Sequence, residues 1–581
     1  MSDAKAKWID KLLGKMNLEQ KVGQMMVFGF AGSVITPDIV ELIRKYHIGG
    51  LRISLKFRTQ NLLHDLKPGT EPNENVLRSL LYPSGNNRDF ADPRHTVACT
   101  PREYAETLNQ LRDYAIDRPL GIPLHITIDQ EGNGSDDLMN GQRLFPNPMG
   151  LTASGDPELA YRVALAIGKQ ARAVGANMIH SPVLDVNTNP QNPEIGTRSY
   201  SDKVEDVITY ALQTLRGFQE AGLLATGKHF PGRGESVADA HWDLPSVDLD
   251  LPTLRANHIA PYPPLIAAGL QAIMTAQCSY PALGVDDIPA STSGRIIKEL
   301  LREELGFEGV ITSDNMMMGG ILQRFEIREA IIRAVQAGND LILYRDESPQ
   351  RIRILEDVVN AVKDKRIEES QIDESVGRIL GMRWDMGLLD NGGKVEAGQA
   401  ATPIDDKFVV DTAIEAAEKS VLLLRDERNL LPLSSEQRVL LVEQVFTTHQ
   451  MANNKSCHPG MLWEEMCRES SKVGSVEIPM RPTEHDRERV MRRFGEADVI
   501  VATNYYYHKA AATMTELVRE LHQLGKPVVV VTNNPFERAA PREFPTVVTI
   551  FTAGGREHLK AAVQILYGKL NPTAHLSVRL S

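Results

Sequence analysis

Only four cysteines occur in 581 residues, and Cys99, Cys278, Cys457 and Cys467 stand far apart with no Cys-x-x-Cys pair. This spacing argues against a disulfide-stapled scaffold, and free thiols in a reducing compartment are expected. Long apolar runs are also lacking, none approaching the ~20 residues of a membrane span. Positive charge is in deficit. A formal charge of −12 makes nucleic acid and anionic membrane unexpected as partners. No His-x-x-x-His spacing occurs, and no glycine-rich phosphate loop follows the first apolar run, which argues against a zinc helix and a dinucleotide fold. The N-terminus enters an amphipathic helix without the apolar core of a signal peptide, so a cytoplasmic location is expected.

What remains is a soluble globular chain, 42% hydrophobic and 24% charged, and too long for one ordinary core. Short apolar runs read as strands at Val22–Phe30, Gly49–Ser54, Leu124–Asp129, Met178–Val186, Leu224–Phe230, Ala272–Ser279, Gly309–Asp314 and Asp340–Tyr344. Helical patterns such as Glu158–Gly175 and Val204–Ala221 lie between most of them. Eight β-then-α units imply an α/β fold, a (β/α)8 TIM-like barrel over residues 1–385. An irregular insertion at 56–100 is too long for a simple connection and is expected to border the mouth of the barrel. Asn391-Gly-Gly and Ala397-Gly-Gln-Ala-Ala-Thr-Pro mark a linker at 386–405. Residues 406–581 then read as a smaller α/β sandwich domain of parallel strands and helices, with strands at Val439–Val445, Ala497–Ala502, Pro527–Thr532 and Thr546–Phe551.

Polar residues recur where the barrel strands end. Asp129, Asp185, Lys228 with His229, and Asp314 each close an apolar run, and the carboxyl ends of barrel strands are where such enzymes place their sites. With Arg198 they would form a concave polar pocket suited to hydroxyl-rich ligands. Asp239-Ala-His241 lies on a loop after the fifth strand, and a carboxylate so close to an imidazole can hold one ring nitrogen and leave the other to trade protons. A loop acid/base and a strand-end carboxylate are the parts of a glycoside-cleaving site. Metal binding by His229, His241, Asp129 and Asp314 is the rival, opposed by Lys228 among them.

Met16-Asn-Leu-Glu-Gln-Lys-Val-Gly-Gln-Met, Ile128-Asp-Gln-Glu-Gly, Ile195-Gly-Thr-Arg-Ser-Tyr, Lys228-His-Phe-Pro-Gly and Ser313-Asp closely resemble glycoside hydrolase family 3. Ala416-Ala-Glu-Lys-Ser-Val-Leu-Leu-Leu-Arg, followed by Asn429-Leu-Leu-Pro-Leu, resembles the start of that family's second domain. Lys-His-Phe-Pro-Gly followed by Asp-x-His is similar to the β-N-acetylglucosaminidase branch, whose acid/base is a His-Asp dyad. The resemblance implies Asp314 as nucleophile, His241 as acid/base and Asp239 as its orienting partner. It implies that Asp129, Lys228, His229 and Arg198 hold the sugar, with Asp185 either joining them or serving as a buried structural carboxylate. Glu131 reads as structural.

Two departures stand out. Where the family has Gly-Arg and a further Arg three residues on, this chain has Asn133-Gly134 and Asp137, so a cation is missing near the sugar unless Arg143 reaches in. The family's Pro-Gly-His-Gly is Pro-Gly-Arg233-Gly here. The implied activity is a retaining exo-β-N-acetylglucosaminidase acting on chitin oligosaccharides or muropeptide fragments, as a monomer or homodimer with no metal or organic cofactor. A phosphorylase, a β-glucosidase and an inactive sugar-binding protein are the alternatives.

Overall fold

Eight parallel strands form the larger sheet: β1 (Met26–Ala31), β2 (Gly50–Ser54), β3 (His125–Ile128), β4 (Met178–Ile179), β5 (Leu224–Phe230), β6 (Ala272–Thr275), β7 (Val310–Ser313) and β8 (Ile342–Tyr344). The computed structural model describes residues 3–31, 34–54, 100–132, 135–138, 141–445, 460–506, 514–552 and 554–581. The expected insertion at 56–100 therefore lies outside the described residues apart from Thr100, as do Cys99 and Cys457. Strand order is β7-β6-β5-β4-β3-β2-β1-β8. The two ends meet where Thr312 bridges Leu341 in parallel and Ser313 N donates to Leu341 O at 2.9 Å. This is the expected barrel, with β5 buried along its whole length as a strand covered on both faces must be.

Local chemistry sets the element ends. Asn17 and Gln20 form a capping box that starts the helix Leu18–Gln24, so the strand expected from Val22 begins only at Met26. Helix Pro157–Val174 has Asp156 at its N-cap and Gly175 in the left-handed region after its last turn. The strand expected over Met178–Val186 shrinks to Met178–Ile179, because Pro182 has no N–H for the ladder. Contact with β5 continues as single hydrogen bonds, Thr226 N to Ser181 O at 2.9 Å, Lys228 N to Pro182 O at 3.1 Å and Leu184 N to Lys228 O at 2.6 Å, with an isolated bridge between Val183 and Lys228.

The second sheet comprises β9 (Leu422–Asp426), β10 (Val439–Val445), β11 (Val473–Pro479), β12 (Val499–Thr503), β13 (Val528–Thr532) and β14 (Thr546–Thr549), in the order β11-β10-β12-β13-β14-β9. Successive side chains feed opposite cores: Leu441, Val501 and Val529 on one face, Leu440, Ile500 and Val530 on the other. It is not wholly parallel as expected, since β9 joins β14 antiparallel as an edge strand. Helix Lys407–Ser420 is shared, giving Val409, Ala413 and Ala416 to the barrel core and Ala417 to the second. Met149 and Ala153 of the barrel also pack with Leu422, Phe536, Phe551 and Val578. Among the described residues no helix is long and apolar enough to cross a membrane.

Closure leaves no slack beside Gly29 in β1, where an added Cβ would lie 1.8 Å from Arg345 O. Gly29→Ala should therefore destabilise the barrel by about 1–3 kcal/mol, the usual cost of overpacking. The measurement is the urea midpoint, which should fall with an unchanged slope; an unmoved midpoint contradicts the account.

Candidate active site

Strand ends deliver most of the polar side chains to one mouth. Arg52 pairs in register with Thr127, so its side chain shares a face with Thr127 and with Asp129 just beyond β3. The β5–β6 register shifts between Lys228 and Phe230, and with that irregularity the consecutive side chains of Lys228 and His229 both reach the mouth. Asp314 follows β7 and is 15% exposed, its Oδ1 accepting from Asn315 N at 2.7 Å.

The charges form one connected network. Lys228 Nζ donates to Asp129 Oδ1 at 3.1 Å and also pairs with Glu131. Glu131 accepts from Arg198 Nε at 2.7 Å and Nη2 at 3.1 Å, a bidentate pair. Arg52 Nη2 donates to Asp129 Oδ2 at 2.5 Å while its Nη1 pairs with Asp137. Burial alone would raise both acids, but the cations win. Arg52, Lys228 and His180 hold Asp129 well below the usual carboxylate range. Arg198 and Lys228 hold Glu131 at about 2.

His229 and Asp185 are a buried pair. Burial pushes Asp185 up to about 6, against the Arg233 charge and the Arg233 N–H that it accepts at 2.7 Å. Burial also lowers His229 well below the usual imidazole range, helped by Arg233, Arg198 and Lys228. At neutral pH the ring is therefore uncharged, donating Nδ1–H to Asp185 Oδ2 at 2.6 Å. Its Nε2 is left as an acceptor 3.9 Å from Asp314 Oδ2.

The loop after β5 brings in the dyad. His241 Nδ1 donates to Asp239 Oδ1 at 2.7 Å, and His241 N donates to the same oxygen at 2.9 Å. Burial opposes but does not prevent His241 from holding Asp239 below its usual value. Gly319 N and Gly320 N donate to the carbonyls of His241 and Ala240, both at 3.1 Å, so the loop is stitched to the segment that follows Asp314. A Cβ on Gly319 would sit 2.6 Å from His241 O, and only glycine admits this approach. Glu194, which the sequence did not single out, stands behind both groups. Its Oε1 forms an ion pair with Arg233 Nη2 at 2.8 Å, and that nitrogen is 3.7 Å from Asp314 Oδ2. Glu194, Asp239 and His241 offer ligand atoms within 4.8 Å of one another, but Arg233 already brings positive charge to Glu194.

Residues 90–382 match the family model described as the glycosyl hydrolase family 3 N-terminal domain. Beta-hexosaminidase A from Pseudoalteromonas piscicida is 29% identical, over 59% of this chain and 62% of its own length. Beta-hexosaminidase from Xylella fastidiosa strain 9a5c is 32% identical over 50% of this chain and 84% of its own. The solved glycoside hydrolase family 3 beta-N-acetylglucosaminidase from Paenibacillus sp. strain FPU-7 superposes with a TM-score of 0.80 at 30% identity, over 97% of this chain and 99% of that one. This chain belongs to glycoside hydrolase family 3. It spans less than two thirds of the length of the Pseudoalteromonas relative.

At this mouth of the barrel the structure gathers Asp129, Asp185, Arg198, Lys228, His229, Asp239, His241 and Asp314. Arg143 is not among them. It turns to the seam with the second sheet, donating to Glu557 Oε1 at 2.6 Å and to Ile404 O at 3.1 Å, because those acceptors lie beside its strandless turn. The cation beside Asp129 from a neighbouring strand is instead Arg52, 2% exposed, with Asp137 as a second counter-ion. A charged residue inside the apolar run Gly-Leu-Arg-Ile was the signal available in the sequence. Asn133 and Gly134 lie outside the described residues.

Glu131→Gln leaves Arg198 and Lys228 short of one buried charge. The loss of stability should be about 3–5 kcal/mol, as for breaking a buried ion pair. A folded pKa of about 2 lies below the ordinary 4.5, so the stabilisation is present above the higher value and lost only as pH falls through the lower. Denaturation of both proteins from pH 5 to 8 should give a constant difference. A difference that fades within that window contradicts the pairing.

Proposed function

We propose that this chain is a retaining exo-β-N-acetylglucosaminidase. The observation that carries the reading is the His241–Asp239 hydrogen bond of 2.7 Å on a loop fastened to the segment after Asp314. It pairs a proton carrier with a strand-end carboxylate, as double displacement requires. The names of the relatives support the sugar. Asp129, Lys228, Arg198 and His229 hold the terminal residue, with uncharged His229 Nε2 accepting a hydroxyl and Asp185 orienting its ring.

In the first step Asp314 attacks the anomeric carbon, forming the glycosyl ester as the glycosidic C–O bond breaks. His241 gives its Nε2 proton to the departing oxygen. In the second step Nε2 takes a proton from water as water attacks the ester and Asp314 leaves. Asp239 on Nδ1 stabilises the charge on the ring whenever Nε2 is protonated. Arg233, the residue that would draw phosphate in place of water, is buried and neutralised by Glu194, which favours hydrolysis. The reading includes a cytoplasmic location and a monomer or homodimer.

Loss of the proton donor should depend on the leaving group. His241→Ala should lower turnover of chitobiose-like substrates by about 10²–10⁴-fold, the usual worth of general acid catalysis. Aryl glycosides with acidic phenols should still form the glycosyl-enzyme, which stalls at water attack and is released by azide. Asp314→Ala should be inactive on both. Equal losses on good and poor leaving groups, without azide rescue, contradict the assignment. Sugar 1-phosphate formed from millimolar phosphate identifies the phosphorylase instead. A series of aryl glycosides differing only in the sugar separates the β-glucosidase, and failure to turn over any of them identifies a binding protein.

A further inference from the structure

The second sheet reaches the acid/base loop through one short segment of the barrel. From β12 and its sheet, Tyr506 Oη donates to Pro193 O at 2.7 Å, and Arg538 Nη2 donates to Pro190 O at 3.1 Å. Arg538 Nη1 also donates to Tyr506 Oη at 3.1 Å, so the two side chains brace each other. Burial raises the Tyr506 phenol above its usual range, with Arg538 opposing and the Asp239 and Glu194 charges adding to it, which keeps the hydroxyl a donor. On its barrel side the same segment is held by Asn192, whose Nδ2 donates to Arg233 O at 2.9 Å and whose Oδ1 accepts from Glu194 N at 3.0 Å.

Glu194 is the residue that this clamp presents. Its Oε2 accepts from Ala240 N at 3.2 Å, inside the dyad loop, and its Oε1 lies 3.5 Å from His241 Nδ1. The same carboxylate meets Arg233 at 2.8 Å and Arg198 at 3.4 Å. One buried side chain thus touches the acid/base loop, the sugar-binding Arg198 and the cation facing Asp314. The segment that carries it is held from the barrel by Asn192 and from the second sheet by Tyr506 and Arg538.

We infer that Glu194 is a positioning residue for His241 and that Tyr506 and Arg538 of the second sheet set its place. The inference rests on His241 being the acid/base. The second sheet is then part of the catalytic apparatus without touching substrate. Misplacing a proton donor by about 1 Å can cost on the order of 10²-fold, so the effect should fall on substrates that need the proton.

The test is a leaving-group series of aryl N-acetyl-β-glucosaminides, run on the full chain with wild type, Glu194→Gln, Tyr506→Phe, Arg538→Ala, the double variant Glu194→Gln with Tyr506→Phe, and His241→Ala. Glu194→Gln should lower kcat for poor leaving groups about 10–100-fold more than for acidic phenols. Tyr506→Phe and Arg538→Ala should show the same selectivity at about 10-fold. The double variant should be no more selective than Glu194→Gln alone, because Tyr506 acts through Glu194. Equal losses across the series, or additive selectivity in the double variant, overturn the inference. If His241→Ala is selective while the other variants are not, the positioning role fails and the acid/base stands. If His241→Ala shows no selectivity, both fail.

Discussion

Arg52, Lys228, Arg198 and Arg233 place four positive charges at the barrel mouth almost wholly out of water. An unpaired ion in that setting costs several kcal/mol, so each must have a carboxylate within hydrogen-bond reach. Asp129 and Asp137 serve Arg52, Asp129 and Glu131 serve Lys228, Glu131 and Glu194 serve Arg198, and Glu194 with Asp314 faces Arg233. Because most of these acids are shared, no member can move without uncovering another charge. The spacing among β2, β3, β5 and the loop after β4 is therefore fixed before a sugar arrives. Such preorganisation is what a site needs if its dipoles are to act on a developing oxocarbenium charge without first rearranging.

The same field separates two histidines that the sequence places twelve residues apart. His229 is ringed by Arg233, Arg198 and Lys228, which with burial keep it neutral and leave Nε2 an acceptor. His241 faces carboxylates on its Nδ1 side, Asp239 at 2.7 Å and Glu194 at 3.5 Å. One ring is set to receive a hydrogen bond at Nε2 and the other to donate one at Nδ1. Environment, not residue type, assigns these roles.

Period and length made the barrel legible. β5 and β10 fall on their expected ranges, Leu224–Phe230 and Val439–Val445, because each begins in a short apolar run, Leu223-Leu-Ala and Val439-Leu-Leu-Val. β11 was not legible, since Val-Gly-Ser-Val-Glu-Ile-Pro is half exposed and carries no such run. Strand-end polar residues pointed to Asp129, Lys228, His229 and Asp314, because a barrel maps position along a strand onto one face. Glu194 was missed for the opposite reason: its meaning lies in Arg233, 39 residues away, which no local pattern announces. Arg52 was marked locally only as a charge within an apolar run, and its partner Asp137 lies 85 residues away.

Those two partnerships also account for the departures from the family's segments. Asp137 stands where the family carries a cation, and alone it would add a buried negative charge beside Asp129. With Arg52 arriving from β2, positive charge is restored from the neighbouring strand, and Asp129 keeps a cationic neighbour. Arg233 in place of the family's histidine would be an uncompensated cation next to Asp314, but Glu194 meets it at 2.8 Å. In both cases a charge arrives paired with its counter-ion, Arg52 with Asp137 and Arg233 with Glu194, while Asp129 and Asp314 each keep a cation nearby. The second pairing has a further consequence: by bringing in a carboxylate that also accepts from Ala240 N, it ties the cation facing Asp314 to the loop that carries His241. The departures from the family's segments thus come as pairs of residues, and neither member of a pair is interpretable without the other.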